Sequence, residues 1–359
     1  MNKQDLSIII PVYNGEGYIE PCLGSVMRQS GIDKHEIIVV NDGSTDNTQK
    51  VLQKFTKKHQ NIRVINQKNG GVSVARNNGI RASHGKYITF IDCDDMVGLK
   101  AESFESYFAR SIRQPFVGNM EIRTAHTIPQ QLTKSNFDNK FFANMLYAAR
   151  QTDADVIMGG KITINANDVY LRKHLYKYAY EYNTHPDDKH IVLRQADVRE
   201  NANFALYKRK MLNKHKLRFL DNMKLDEDIL FCMLAVLHAN RVATVPDATY
   251  FYNRHENTLS NITDSKEQEQ KYKLATLQRF SVFLNELQKY PEYHEIFTYW
   301  FKSFARKGLD YDDGTHDFPP FKCYESCPEK SCNGCFIHDA ICAEFPSKIA
   351  QYLTTQIQK

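Results

Sequence analysis

Asp92-Cys93-Asp94-Asp95 places three carboxylates within four positions, directly behind the apolar run 87–91. Anions that close together are unfavourable unless a divalent cation or solvent neutralises them, so the cluster reads as the seat of a metal carrying phosphates. A helix cap or a solvated turn would use Asp94 and Asp95 in the same way. Three other segments, 7–14, 37–46 and 70–79, favour the metal, because each has the character of a strand end that handles a nucleotide. In the first, Tyr13 offers a ring that can stack on a base, beside Pro11 and backbone groups able to read the base edge. In the second, Asp42 closes a strand and Gly43 permits a tight turn into a helix; a carboxylate there can accept hydrogen bonds from a base or ribose. In the third, Gly70-Gly71 begins a helix whose Arg76 can pair with phosphate or a base edge.

These side chains need strands to deliver them. The runs Leu6–Val12, 36–41, Ile62–Asn66 and 86–91 are short, apolar and bounded by turn residues, as strands covered on both faces are. Tyr18, Ile19, Cys22, Leu23, Val26 and Met27 recur at helical spacing between them, and Val51, Leu52 and Phe55 follow a Ser-Thr-Asp start signal. The alternation predicts an α/β fold with a doubly wound, mostly parallel sheet and its ligand at the strand carboxyl ends. Residues 101–152, polar and containing Pro115 and Pro129, read as an insertion. A strand is expected at 154–158, an amphipathic helix behind Asp226-Glu227-Asp228, and late strands at 242–245 and 249–252. Beyond about residue 265 the pattern is that of a smaller, mainly helical C-terminal extension.

With 47 Lys and Arg against 42 Asp and Glu, the formal charge of +5 is too mild for a general nucleic-acid binder. The excess is local: residues 161–218 hold 13 basic and 6 acidic side chains. Such a stretch can meet phosphates, an anionic acceptor or a membrane surface, although a solvated basic face has the same composition. The first residues lack the apolar core of a signal peptide, and no apolar run approaches transmembrane length. The expected setting is cytoplasmic, with peripheral contact on the inner face of the cell membrane through 161–218. Cys22, Cys93 and Cys232 sit singly, as reduced thiols do, while five of the eight cysteines crowd into 323–342. Cys323, Cys327, Cys332 and Cys335 could close a tetrahedral Zn²⁺ site, an iron–sulfur centre would use the same ligands, and unligated thiols are the plainer alternative. Only Cys332 to Cys335 has a common zinc spacing.

The ordered segments Ser7-Ile8-Ile9-Ile10-Pro11-Val12-Tyr13-Asn14, Asn41-Asp42-Gly43-Ser44-Thr45-Asp46, Gly71-Val72-Ser73-Val74-Ala75-Arg76-Asn77 and Phe90-Ile91-Asp92-Cys93-Asp94-Asp95 together resemble family 2 glycosyltransferases. These are inverting enzymes with the nucleotide-diphospho-sugar transferase fold called GT-A. The resemblance implies a catalytic domain over 1–264, with a nucleotide-binding half (1–100), the insertion (101–152) and an acceptor-binding half (153–264), followed by the helical region 265–359. It implies that Pro11 and Tyr13 line the base pocket, that Asp42 bonds the base, and that Arg76 holds the nucleotide. Asp92 would contact the ribose or a metal-bound water, Asp94 would ligate Mn²⁺ or Mg²⁺ on the donor diphosphate, and Asp95 would lie nearest the sugar. Arg254 and His255 would clamp diphosphate or metal.

Glu227-Asp228 looks like the family's acidic pair, which assigns the general base to Asp228 and acceptor orientation to Glu227; complementing a helix N-terminus would also account for both. The partners implied are a nucleotide-sugar donor, with a UDP-sugar foremost, and a glycan or lipid-linked glycan acceptor in surface polysaccharide or lipooligosaccharide assembly. The stretch 204–209 resembles the family's acceptor side but lacks the tryptophan often found there, which leaves the acceptor class open. A sugar-nucleotide nucleotidyltransferase would use a similar sheet and metal, but Pro11-Val12-Tyr13-Asn14-Gly15 is not its glycine- and arginine-rich loop. A non-catalytic nucleotide-sugar or glycan-binding protein is disfavoured by intact Asp92, Asp94, Asp95 and Asp228.

Overall fold

The computed structural model describes residues 4–98, 139–165, 170–174, 181–182, 202–221, 223, 225–254, 266–287 and 289–293. Most of the insertion, His255 and the cysteine cluster lie outside the described residues. The chain divides into two compact units. One comprises Met1–Thr184, Glu200–Asn222 and His238–Asn261; the other comprises His185–Arg199, Met223–Leu237 and Ile262–Lys359.

The first unit opens with β1 (Leu6–Val12), α1 (Ile19–Met27), β2 (His35–Asn41), α2 (Thr48–Lys58), β3 (Ile62–Asn66), α3 (Val72–Ala82) and β4 (Tyr87–Phe90). These strands lie where the apolar runs predict them. Every residue of β1 and β4 is buried, so both faces of the strands are covered. After the short β5 (Met96–Val97) come α4 (Phe141–Thr152), β6 (Val156–Asn165), β7 (Tyr170–His174), β8 (Glu181–Tyr182), β9 (Ala205–Lys208), α5 (Arg209–Lys214) and β10 (Val242–Arg254).

Among the described residues the strands form one sheet in the order β3-β2-β1-β4-β9-β6-β10-β5, with β7 beside β6 and β8 beside β10. The pairs β3–β2, β2–β1, β1–β4 and β6–β10 are parallel, while β9 runs antiparallel between β4 and β6. The chain steps outward from β1 through β2 to β3, then returns to place β4 on the other side of β1. That reversal opens a crevice beyond the carboxyl ends of β1 and β4, where an open α/β sheet binds its ligand. The two late strands expected at 242–245 and 249–252 are one strand, β10, whose pairing with β6 shifts register between Thr244 and Thr249. Pro246 lies inside that shift, and a residue without an N–H cannot keep a regular ladder.

The second unit contributes α6 (Glu227–His238, up to Leu237) and α7 (Lys266–Leu287). In α7 the positions Ala275, Thr276, Arg279, Phe280, Phe283, Leu284 and Leu287 are all buried, a stripe at three- and four-residue spacing. Among the described residues no helix is long and apolar enough to cross a membrane.

Gly79 of α3 faces β1, and a Cβ added there would run into the side chain of Ile9, which is fully buried. Glycine to alanine inside a helix ordinarily gains up to about 1 kcal/mol. Here the stiff β-branched partner cannot yield, so Gly79→Ala is expected to destabilise the protein by roughly 1–3 kcal/mol in urea denaturation.

Candidate functional site

Beyond β4 the chain makes a tight turn. The amide of Asp95 donates to the carbonyl of Asp92 at 3.0 Å, which puts Cys93 and Asp94 at the corner. Asp92 is held on both oxygens: Arg76 Nη2 donates to Oδ1 at 2.7 Å and Asn203 Nδ2 donates to Oδ2 at 2.5 Å. The Arg76 side chain is only 3% exposed and its guanidinium lies 5.1 Å from the ring centroid of Phe219. The next residue, Asn77, exchanges bonds with the backbone of Phe219 (2.8 and 2.9 Å) and donates to Asp221 at 2.9 Å. α3 thus carries both Arg76 and the fastener for the chain against which that arginine packs.

Asp95 is fully buried, and its Oδ2 accepts from the hydroxyl of Tyr250 in β10 at 2.5 Å. Burial first, and then the charges of Asp95 and Asp92, push the Tyr250 hydroxyl well above the ordinary tyrosine range, so it stays protonated and donates. The same oxygen accepts from the Asp92 amide at 3.3 Å. Cys22 Sγ donates to the Asp92 carbonyl at 3.5 Å. Burial, then neighbouring anionic groups, raise the Cys22 and Cys93 thiols well above their usual range; both are free and in their protonated form.

The neighbouring strand end is organised by Asp42. Its Oδ1 accepts from Gln67 Nε2 (2.7 Å) and the Gly70 amide (2.8 Å), and its Oδ2 accepts from the Gly71 amide (2.9 Å). Gly71 has φ 89°, a conformation natural to glycine, and turns the chain into α3. Pro11 is buried in β1, whereas the next strand-end side chain, Tyr13, is half exposed. Asn14 then locks this end of β1 to the β2–α2 turn, receiving Thr45's amide at 2.8 Å and donating its own amide to Ser44 Oγ at 3.0 Å.

The structure therefore gathers Arg76, Asp92, Asp94 and Asp95 around one turn and places Pro11, Tyr13 and Asp42 at the neighbouring strand ends. Arg254 is the last residue of β10. Glu227 and Asp228 open α6 in the other unit, where Asp228 Oδ1 accepts the Ile229 amide at 2.8 Å. Sequence reasoning missed Asn203 and Tyr250. Both sit in stretches it had singled out, but nothing in their spacing announces that they close on a turn more than a hundred residues earlier. Asn203 is fully buried and its Oδ1 has no hydrogen-bond partner among the described residues, a cost of about 1–3 kcal/mol carried by a side chain that fixes Asp92.

The turn has a carboxylate that fits a divalent cation. Asp92 and Asp95 are committed to Arg76, Asn203 and Tyr250, and among the described residues no group of three or more His, Cys, Asp or Glu could hold a metal by itself. The half-buried Asp94 at the corner can supply one carboxylate. Mg²⁺ and Mn²⁺ are commonly bound by one or two carboxylates with the remaining positions filled by substrate phosphates and water.

Residues 7–98 match the family described as Glycosyl transferase family 2. The chain is 29% identical over 258 residues to the glycosyltransferase EpsJ of Bacillus subtilis, a match covering 72% of this chain and 63% of EpsJ, less than two thirds of that protein's length. It is also 29% identical over 254 residues to the poly(ribitol-phosphate) beta-glucosyltransferase of Bacillus spizizenii, covering 69% of this chain and 32% of that enzyme. Among solved structures, S. aureus TarS 1–349 superposes with a TM-score of 0.60 at 18% identity, covering 98% of this chain and 88% of TarS 1–349. The same protein in complex with UDP-GlcNAc gives 0.55 at 19% identity, covering 85% and 81%. These likenesses show the GT-A fold.

Tyr250→Phe removes the donor to a buried carboxylate and the acceptor of the Asp92 amide, so it should cost roughly 2–4 kcal/mol of stability. Tyr207, whose hydroxyl donates to the neutral carbonyl of Ala202 at 3.3 Å, provides the comparison. Its phenylalanine variant should lose about 1 kcal/mol in the same denaturation experiment.

Proposed function

The chain is a family 2 glycosyltransferase of the GT-A fold, and from that premise we propose that it moves one sugar from a nucleotide donor to a hydroxyl of a glycan or lipid-linked glycan, with inversion. The observation that carries the reading is the turn 92–95, its flanking carboxylates committed and Asp94 at its corner, set at the carboxyl ends of β1 and β4 beside the half-exposed Tyr13. A UDP-sugar is the donor favoured, supported by the UDP and UDP-GlcNAc complexes of TarS. The setting favoured is assembly of a bacterial surface polymer, supported by the likeness to an enzyme named for poly(ribitol phosphate).

Tyr13 stacks on the base, with Pro11 behind it, while Asp42 and Arg76 fix the base and nucleotide from the other side. Asp92 meets the ribose from a carboxylate already oriented by Arg76 and Asn203. Asp94 would hold Mn²⁺ or Mg²⁺ on the donor diphosphate, and the cation would supply a Lewis acid that offsets charge on the departing nucleoside diphosphate. Asp95, tied to Tyr250, braces the turn behind the sugar. Arg254 and His255 close over the diphosphate. Asp228 takes the proton of the acceptor hydroxyl as its oxygen attacks the anomeric carbon opposite the leaving group, and Glu227 orients that acceptor. One carboxylate suffices, because the bond to the nucleoside diphosphate breaks as the new glycosidic bond forms.

Calorimetric titration with UDP, with and without Mn²⁺, is expected to show metal-dependent binding in the wild type, weakened by about tenfold or more in Asp94→Ala when the cation loses its protein carboxylate. Absence of binding to UDP, GDP, CDP and dTDP alike would sink the transferase mechanism. Asp228→Asn should leave UDP affinity unchanged and lower turnover by about 10²–10⁴-fold, the usual contribution of a positioned base.

A further inference from the structure

Helix α6 begins in an unusual way. Asp226, immediately before it, has a left-handed backbone (φ 63°), and its carbonyl accepts the first helical bond from the Leu230 amide at 3.0 Å. An aspartate in that position ordinarily turns its carboxylate back onto the exposed amides of the first turn. Asp226 faces the other way. Its Oδ2 accepts from Arg279 Nη1 at 2.7 Å and from Thr276 Oγ1 at 3.4 Å, both on α7.

Thr276 and Arg279 are the polar members of the otherwise apolar buried stripe of α7. They lie three residues apart, hence on one helix face. The ion pair is largely shielded, with side-chain exposures of 9% for Arg279 and 10% for Asp226. The guanidinium is further fixed by lying 5.0 Å from the ring centroid of Phe280. An arginine in a buried stripe is costly unless paired, so its placement serves the pair. The pair in turn sets the chain direction at residue 226, one and two residues before the acidic side chains that open α6. Glu227 is buried there and Asp228 half-buried.

We propose that Arg279 is a positioning residue for Asp228: by holding Asp226 it fixes the start of α6 and so the direction in which Asp228 presents its carboxylate. The inference rests on the reading of Asp228 as the base, and it gives α7 a part in the chemistry. Its test separates the two claims. Full-length wild type, Arg279→Met, Arg279→Lys and Asp228→Asn are compared by amide hydrogen exchange of residues 223–238, by UDP titration with Mn²⁺, and by UDP release from UDP-N-acetylglucosamine and UDP-glucose.

Arg279→Met should exchange faster at the start of α6, bind UDP as wild type does, and lose turnover by about ten- to a hundredfold in kcat with little change in KM for the donor, as expected when a catalytic group is misaligned by a distant change. Arg279→Lys, which keeps the charge, should recover part of the protection and of kcat. Unchanged exchange at the start of α6 in Arg279→Met overturns the proposal whatever the turnover. So does faster exchange with undiminished turnover while Asp228→Asn is inactive. If Asp228→Asn turns over like wild type, the base assignment falls, and positioning of Asp228 by Arg279 falls with it as a catalytic role. If wild type binds no UDP, the donor reading is at fault, and the exchange data alone decide whether Arg279 holds the helix.

Discussion

Asp92 accepts a bond from Arg76 on one oxygen and from Asn203 on the other, and this double hold ties together three parts of the first unit that are distant in sequence. Arg76 comes from α3, Asn203 from the segment entering β9, and Asp92 from the end of β4. The constraint is strict because Arg76 is almost wholly buried. Removing Asp92 would strand the guanidinium in a poorly solvated place, at a cost of several kcal/mol. The arginine cannot be repositioned without its ring partner Phe219, and Phe219 is itself pinned by Asn77. The orientation of one carboxylate is therefore set by packing throughout the unit.

The hold on Asp92 also explains how three neighbouring aspartates avoid being equivalent. Asp92 is neutralised by a cation and an amide. Asp95 is buried against a hydroxyl that burial, and then the aspartate's own charge, keep protonated. Asp94, at the corner of the turn, is half-buried and so keeps part of its carboxylate in contact with solvent. The repulsion that makes the Asp92-Cys93-Asp94-Asp95 sequence conspicuous is thus relieved by different means at each position.

Much of this was legible in the chain. Strands β1 to β4 announce themselves because fully covered parallel strands are nearly continuous apolar runs, and the catalytic-looking residues fall where those runs end. The family resemblance then ordered Asp42, Arg76 and the acidic turn into one site. What the sequence left open follows from physics that is not local. Val242–Arg254 reads as two strands because Pro246 breaks the pattern, yet pairing with β6 resumes beyond it. Asn203 and Tyr250 look like ordinary strand neighbours until the sheet folds, since a single polar side chain in an apolar run carries no periodic signal. Arg279 is hidden for the same reason, as one charge among many on a helix of mixed composition.

The entries to α3 and α6 share a device that bears on how such sites are kept rigid. Each follows a residue of positive φ, Gly71 or Asp226. In each, that residue is anchored by a group far along the chain: Asp42 accepts from the Gly71 amide, and Arg279 donates to the Asp226 carboxylate. A local cap would satisfy the helix ends at less entropic cost, but it would let each helix start move with its own loop. Long-range anchoring makes the helix start depend on distant packing, so the first turn is fixed only when the element holding it is folded. For helices that carry Arg76 in one case and open with Glu227-Asp228 in the other, that dependence converts the stability of the surrounding core into fixed direction for the side chains that follow.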